Sequence, residues 1–213
     1  MLFNDHFNNQ LRDQIKNCKE CRLKDQPGPV LGYGSLKADV MFISDAPKEY
    51  EASSGIPFTG TAREKMVAAI AGNDLKKGEY YFTYLIKHVL PEGDKPCFVA
   101  HKKCFDILLK EIELINPRII VSMGFYITEV LVKKYKLTNL DHKQMSEIIG
   151  NGYIIPAKIY YNSRFGRVKD PRPKRYLIPT WSPSINNFVQ SNQFSTDVLT
   201  VKSVHNLSAL LFP

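Results

Sequence analysis

No run of 18 apolar residues occurs in this 213-residue sequence, so nothing in it is long enough to cross a bilayer as an apolar helix. The opening run MLFNDHFNNQLRDQ lacks a basic start followed by an apolar stretch, and no secretory signal is expected. Internal repeats and low-complexity tracts are also missing. These absences leave the cytosol or nucleoid as the expected compartment. Acidic residues are in short supply: 21 against 29 basic ones, a net charge of +8. That excess suits a polyanionic partner, because each phosphate contact releases counterions, although solubility alone would also explain it. The apolar fraction of 44% and the length suffice for one α/β domain spanning 1–213.

Strand and helix signals alternate along the chain. Phe7, Leu11 and Ile15 recur at helical spacing over residues 6–17. A Pro/Gly-containing connector, 22–38, precedes a buried strand at Val40–Ile43. A helix is expected from Thr61 to Ala71, a strand over Tyr80–Ile86, a long helix over Phe98–Ile115 and a β-branched strand over Arg118–Met123. Helices follow at Tyr126–Lys134 and within 137–150, then one or two strands within Tyr153–Tyr161. A strand at Tyr176–Thr180 and a closing helix over 194–212 complete the reading. Such alternation implies three-layer α/β/α architecture around a mainly parallel sheet of about four strands.

The central stretch is Asp39–Gly60, DVMFISDAPKEYEASSGIPFTG. Ser44 and Asp45 end its strand, at the carboxyl edge where open α/β sheets place ligands. An acidic loop with Glu49 and Glu51 follows, and Pro57-Phe58 brings an aromatic back towards the strand end. A carboxylate, a loop and a returning Phe suit a flat ring. Four cysteines are present: Cys18 and Cys21 as C-x2-C, then Cys97 and Cys104. In a reducing compartment such a pair marks a metal or cluster site more often than a disulfide; small core residues are the plainer reading of Cys97 and Cys104. The run 162–175 holds Arg164, Arg167, Lys169, Arg172, Lys174 and Arg175 among Gly and Pro, and is read as a loop.

From Cys18 to about Asn187 the chain resembles the iron–sulfur, family-four branch of the uracil-DNA glycosylases. That family's first motif, roughly G-E-G/A-P-G, an acidic run and G-x-P-F-V-G, is matched by Ser44-Asp45-Ala46-Pro47-Lys48, by Glu49 and Glu51, and by Gly55-Ile56-Pro57-Phe58-Thr59-Gly60. Its T-N-V-V-K-C is matched by Thr83-Tyr84-Leu85-Ile86-Lys87-His88, and its H-P-S by Ser182-Pro183-Ser184. The resemblance implies a DNA glycosylase that flips a base from duplex or single-stranded DNA and hydrolyses its glycosidic bond. It puts Asp45, Glu51 and Ser182 at the chemistry, and Ser44, Ala46, Phe58, Tyr84 and Trp181 around the base. Lys48, Arg164, Arg167, Arg172, Arg175 and Ser184 are the expected DNA contacts. The family's 4Fe–4S cluster would fall to Cys18, Cys21, Cys104 and either Cys97 or His88, with zinc as the alternative occupant. Cys97 lies seven residues before Cys104, ~10 Å along a helix axis, whereas His88 keeps the family's interval to Cys104.

Two departures bear on specificity. Tyr84 stands where the family reads uracil with an Asn amide, and Ser182 where it has a His that steadies the leaving base. A phenol cannot reproduce an amide's paired donor and acceptor. The expected substrate is therefore a non-standard, modified pyrimidine, in a phage or in defence against one. An inactive DNA-binding module of a replication or repair assembly and an orthodox uracil enzyme are the alternatives. The protein is expected to act as a monomer, in the nucleoid or in a phage host's cytoplasm, without a membrane.

Overall fold

The computed structural model describes residues 2–59, 61–72, 75–76, 78–91, 98–140, 143–155 and 175–183. The elements in order are α1 (Leu2–Lys16), β1 (Tyr33–Gly34), β2 (Val40–Ser44), α2 (Glu49–Ser54), α3 (Thr61–Gly72), β3 (Tyr80–Tyr84) and α4 (Phe98–Ile115). Then come β4 (Ile119–Met123), α5 (Phe125–Lys134), α6 (Met145–Ile148), β5 (Tyr153–Ile155) and β6 (Arg175–Thr180). Short 3-10 turns occupy Arg22–Asp25 and Thr138–Leu140.

One six-stranded sheet runs β1-β3-β2-β4-β6-β5. Its four inner strands are parallel, with Phe42 paired to Phe82 on one side and Val121 on the other, and Val121 paired to Ile178. β1 and β5 are antiparallel edge strands. The expected four parallel strands are therefore present, framed by two short edges of two and three residues.

Alternation along the strands divides the core. Val40, Phe42, Phe82, Tyr84, Ile119, Val121 and Ile178 pack with Phe58, Ala62 and Met66 on one face. Met41, Ile43, Tyr81, Ile120 and Leu177 pack with Leu108 and Ile112 of α4 and Ile127 and Leu131 of α5 on the other. Strands apolar on both faces need helices on both sides, which is why the sheet sits in the middle of three layers. α1 adds an outer contact, Leu11 and Ile15 against Ile107 and Leu114. The first-motif loop holds a helix, α2, that its apolar periodicity does not signal. The run 162–174 and the segment 194–212 lie outside the described residues.

Candidate active site

Parallel pairing places the ends of β3, β2, β4 and β6 side by side at one edge, and the matched motif residues collect there. β2 and β4 are tied at their tips: the Ser44 hydroxyl donates to the Met123 carbonyl at 3.1 Å, and Ser44 is buried. Its hydroxyl is thus spent on the scaffold. β6 joins through Gly124 N–H, which donates to the Thr180 carbonyl at 3.0 Å.

Asp45 follows Ser44 and faces the start of α5. Its carboxylate accepts from Ile127 N–H at 2.7 Å. Gly124 makes room for it: a Cβ there, at φ +125°, would lie 2.5 Å from the carboxylate oxygen, so both the backbone angle and the space require glycine. Burial raises the Asp45 pKa from 3.8 to about 6, against the opposing pull of the Ile127 and Tyr126 N–H groups. A carboxyl group poised near neutrality can exchange protons with water at working pH. Ala46, half-buried beside it, packs against the α4/α5 core.

Glu51 has a different environment. It is the third residue of α2 and is only 1% exposed. Its carboxylate closes the start of α2 by accepting Lys48 N–H at 2.7 Å, and it accepts the Tyr84 hydroxyl at 2.8 Å. Lys48 itself points to solvent. The Tyr84 hydroxyl in turn accepts Phe58 N–H at 3.0 Å. The Tyr84 ring stacks on Phe58, centroids 5.0 Å apart and planes 25° apart, while Phe82 meets Phe58 at 5.4 Å and 59°. Phe58 is 5% exposed and Tyr84 1%. Phe58 was expected to stack on the base; in this structure its ring is covered by the chain's own Tyr84 and Phe82. The neighbouring Tyr84 is likewise packed away rather than turned to a reading edge, and burial followed by the Glu51 charge drives its pKa upward. Phe58 adopts φ +53°, a left-handed angle costly for an aromatic residue, which this contact network holds in place.

On the opposite face of β3 lies a cluster absent from the sequence-based expectations. Lys87, 1% exposed, donates to Glu111 of α4 at 2.5 Å, to the Thr83 hydroxyl at 2.7 Å and to the Tyr84 carbonyl at 2.8 Å. All three ammonium protons are used. Glu111 also receives the Thr83 hydroxyl at 3.0 Å. The signals in the sequence are a lysine at an apolar strand tip and one of two glutamates, Glu111 and Glu113, in an amphipathic helix, 24 residues from Lys87 to Glu111.

The cysteines gather near this cluster. Cys104 is buried on α4; Lys87 N–H and the Lys87 charge favour its thiolate, but burial, followed by the nearby Cys21 and Cys18, raises its pKa. Cys21 packs against the same core as Cys104, and a Lys103–Glu20 ion pair of 3.0 Å ties the C-x2-C turn to α4. His88, 6% exposed, has its pKa lowered by burial, which favours the neutral imidazole. Among the described residues no three His, Cys, Asp or Glu side chains are gathered closely enough to hold a metal ion. Cys97 lies outside the described residues. In kind, thiols are the ligands that an iron–sulfur site takes, and Cys21 and Cys18 lie near enough to Cys104 to act on its pKa.

Trp181 is half-buried against the α4/α5 core, and Ser182 is half-buried two residues past the β6 tip. Arg175, expected in an exposed basic loop, is instead the first residue of β6 and is buried, paired in register with Ile155. It is a strand residue, not a surface phosphate contact. Arg164, Arg167, Arg172 and Ser184 lie outside the described residues.

The family model for the uracil DNA glycosylase superfamily matches residues 31–201. The chain belongs to the uracil DNA glycosylase superfamily. The expectation of a DNA N-glycosylase fold and enzyme class, drawn from the motifs, is borne out at that level. Within the superfamily it is similar to the type-4 uracil-DNA glycosylase of Saccharolobus solfataricus, 31% identical over 84% of this chain and 90% of the relative. It is also similar to the type-4 uracil-DNA glycosylase of Archaeoglobus fulgidus, 28% identical over 72% of this chain and 73% of that one. A third likeness is to a protein named DNA polymerase from Bacillus phage SP01, 30% identical over 60% of this chain but only 14% of the polymerase.

Proposed function

We propose that this glycosylase-superfamily chain excises a modified pyrimidine from DNA and leaves an abasic site, with Asp45 at the chemistry. One observation carries the reading: a partly buried carboxyl at the β2 tip, held by backbone N–H groups and with its pKa near 6. In the proposed reaction Asp45 takes a proton from water as the water oxygen bonds to the sugar C1′. The C1′–N bond breaks, its electron pair leaves with the base, and a proton returns to the base nitrogen. Ser182 donates to the departing base, a weaker service than an imidazole gives. Tyr84, filling the place where the resemblance puts an amide, argues against plain uracil.

Cys18, Cys21 and Cys104, completed by Cys97 or His88, would hold the 4Fe–4S cluster. Its contribution there is structural, tying the N-terminal segment to α4, with zinc as the alternative. Lys48 and the run Arg164, Arg167 and Arg172 meet the DNA backbone. The chain works as a monomer on duplex or single-stranded DNA, in a phage or anti-phage setting. Incubation with DNAs carrying uracil, hydroxymethylated or glucosylated pyrimidines, scored for abasic sites, tests the reading. Excision of a modified base that is lost in Asp45→Asn is expected; efficient removal of plain uracil overturns the specificity.

A second reading is a glycosylase fold that binds DNA without cutting it. Two observations favour it: the covered face of Phe58 and the likeness to a segment of a phage DNA polymerase. Tight DNA binding with inactivity on every base offered would select it.

A further inference from the structure

Tyr84 does more than fill space. Its ring is six-membered and planar, stacked 5.0 Å from Phe58. Its hydroxyl accepts one hydrogen bond, from Phe58 N–H at 3.0 Å, and donates one, to Glu51 at 2.8 Å. From its single oxygen the ring makes the two kinds of hydrogen bond, one accepted and one donated, that a pyrimidine imide edge makes from a carbonyl and the N–H beside it. The residues around it are arranged for such a ring. Phe58 keeps a left-handed angle, φ +53°, while its N–H bonds the hydroxyl, and the buried Glu51 accepts from the same atom.

We infer that Tyr84 is a built-in occupant of the ring-binding site on Phe58, a side chain standing in for a base, and that it sets specificity by competition. This rests on the reading of the strand-tip region as a base pocket. A base reaches Phe58 only by displacing the Tyr84 ring. Plain uracil gains the same stack and the same two hydrogen bonds that the ring already makes, so its net gain is small. A base with a substituent gains additional contacts outside the site, and those drive the exchange. Selectivity for a modified base then follows from what the pocket already holds.

The test vacates the site. Tyr84→Ala leaves a cavity bounded by Phe58, Glu51 and the Phe58 N–H, as ring-sized cavities in other proteins take up ring-sized ligands. The variant is titrated with p-cresol, the side chain removed, and with free uracil, and followed by thermal melting and calorimetry. Both ligands are expected to bind Tyr84→Ala in competition; uracil at ten times its dissociation constant should raise the Tm by roughly 3–6 °C. Neither should bind the unaltered protein or Tyr84→Phe, where a ring still fills the site. If Tyr84→Ala is recovered only unfolded, Tyr84→Val, which leaves Glu51 and the Phe58 N–H unbonded, takes the same titrations. Binding of p-cresol without uracil means ordinary core packing and overturns the inference, as does uracil binding by Tyr84→Phe or no ring binding by either vacated variant. Free-base binding needs no bond cleavage. A failure of the excision reading is therefore distinguishable from a failure here.

Discussion

Asp45 and Glu51 sit in one motif, six residues apart, and the fold gives them opposite environments. Glu51 is enclosed and answered: a backbone N–H closes on one oxygen and a phenol on the other. Asp45 is met by backbone N–H groups at the start of α5, and burial works against its charge. Glu111, on the far face of β3, is more fully answered still, by a buried ammonium and the Thr83 hydroxyl. Of three carboxylates at this edge, two are built into the scaffold and one keeps a raised proton affinity. A carboxyl raised by burial, with no cation among the causes of its shift, is what the proposed role of Asp45 as a base calls for.

The largest effect should come from Asp45→Asn, which removes the base and leaves the shape. Turnover on the preferred DNA should fall about 10²–10⁴-fold, with DNA affinity nearly unchanged. Glu51→Gln, compared at matched folded fraction, should cost far less in turnover. The contrast between the two carboxylates collapses if Glu51→Gln does the greater catalytic damage.

The scaffold side of the comparison is tested by stability. Lys87→Met strands Glu111 in the core and should cost about 3–5 kcal/mol in urea unfolding. The double change Lys87→Met with Glu111→Leu should recover most of that, since no unpaired charge remains. A tolerated single change would mean that water reaches the pair. Tyr84→Phe keeps the ring on Phe58 but takes the donor from Glu51, and should cost about 1–3 kcal/mol by the same assay.

Much of this edge could be read from the residues. The bounds Phe98–Ile115 of α4 match expectation because an 18-residue amphipathic run repeats its pattern many times. β4 is a β-branched run between a Pro-Arg start and a Gly stop, and was equally plain. Asp45 was legible because a strand ends just before it. α2 was missed: six residues with three polar ones at its solvent face give no periodicity, and its Glu51 looked like any loop acid. The Tyr84–Glu51 bond spans 33 residues and the Lys87–Glu111 pair 24, and no local pattern announces either. Arg175 was taken for the end of a basic loop because composition does not show where β6 begins.

The smallest effect separates the two carboxylates most directly, through pH. The folded chain holds the Asp45 proton up to about pH 6, whereas an exposed aspartate releases it near 3.8. Between those values the folded state binds more protons than the unfolded one, so this group's contribution is full below 3.8 and is lost as pH rises through about 6. Above that, the ionised carboxylate is a net cost of folding. Asp45→Asn should therefore match the unaltered protein at pH 4 and exceed it in stability at pH 7.5. The ceiling is about 3 kcal/mol for a shift of this size, and the residual exposure of this half-buried side chain brings it nearer ~1 kcal/mol. Over the same range turnover on the preferred DNA should rise with pH and level off above about 6, as the base form fills. If Asp45→Asn is instead less stable at pH 7.5 than at pH 4, relative to the unaltered chain, the carboxylate is a helix cap that prefers its charge. Asp45 would then belong with Glu51 among the scaffold groups.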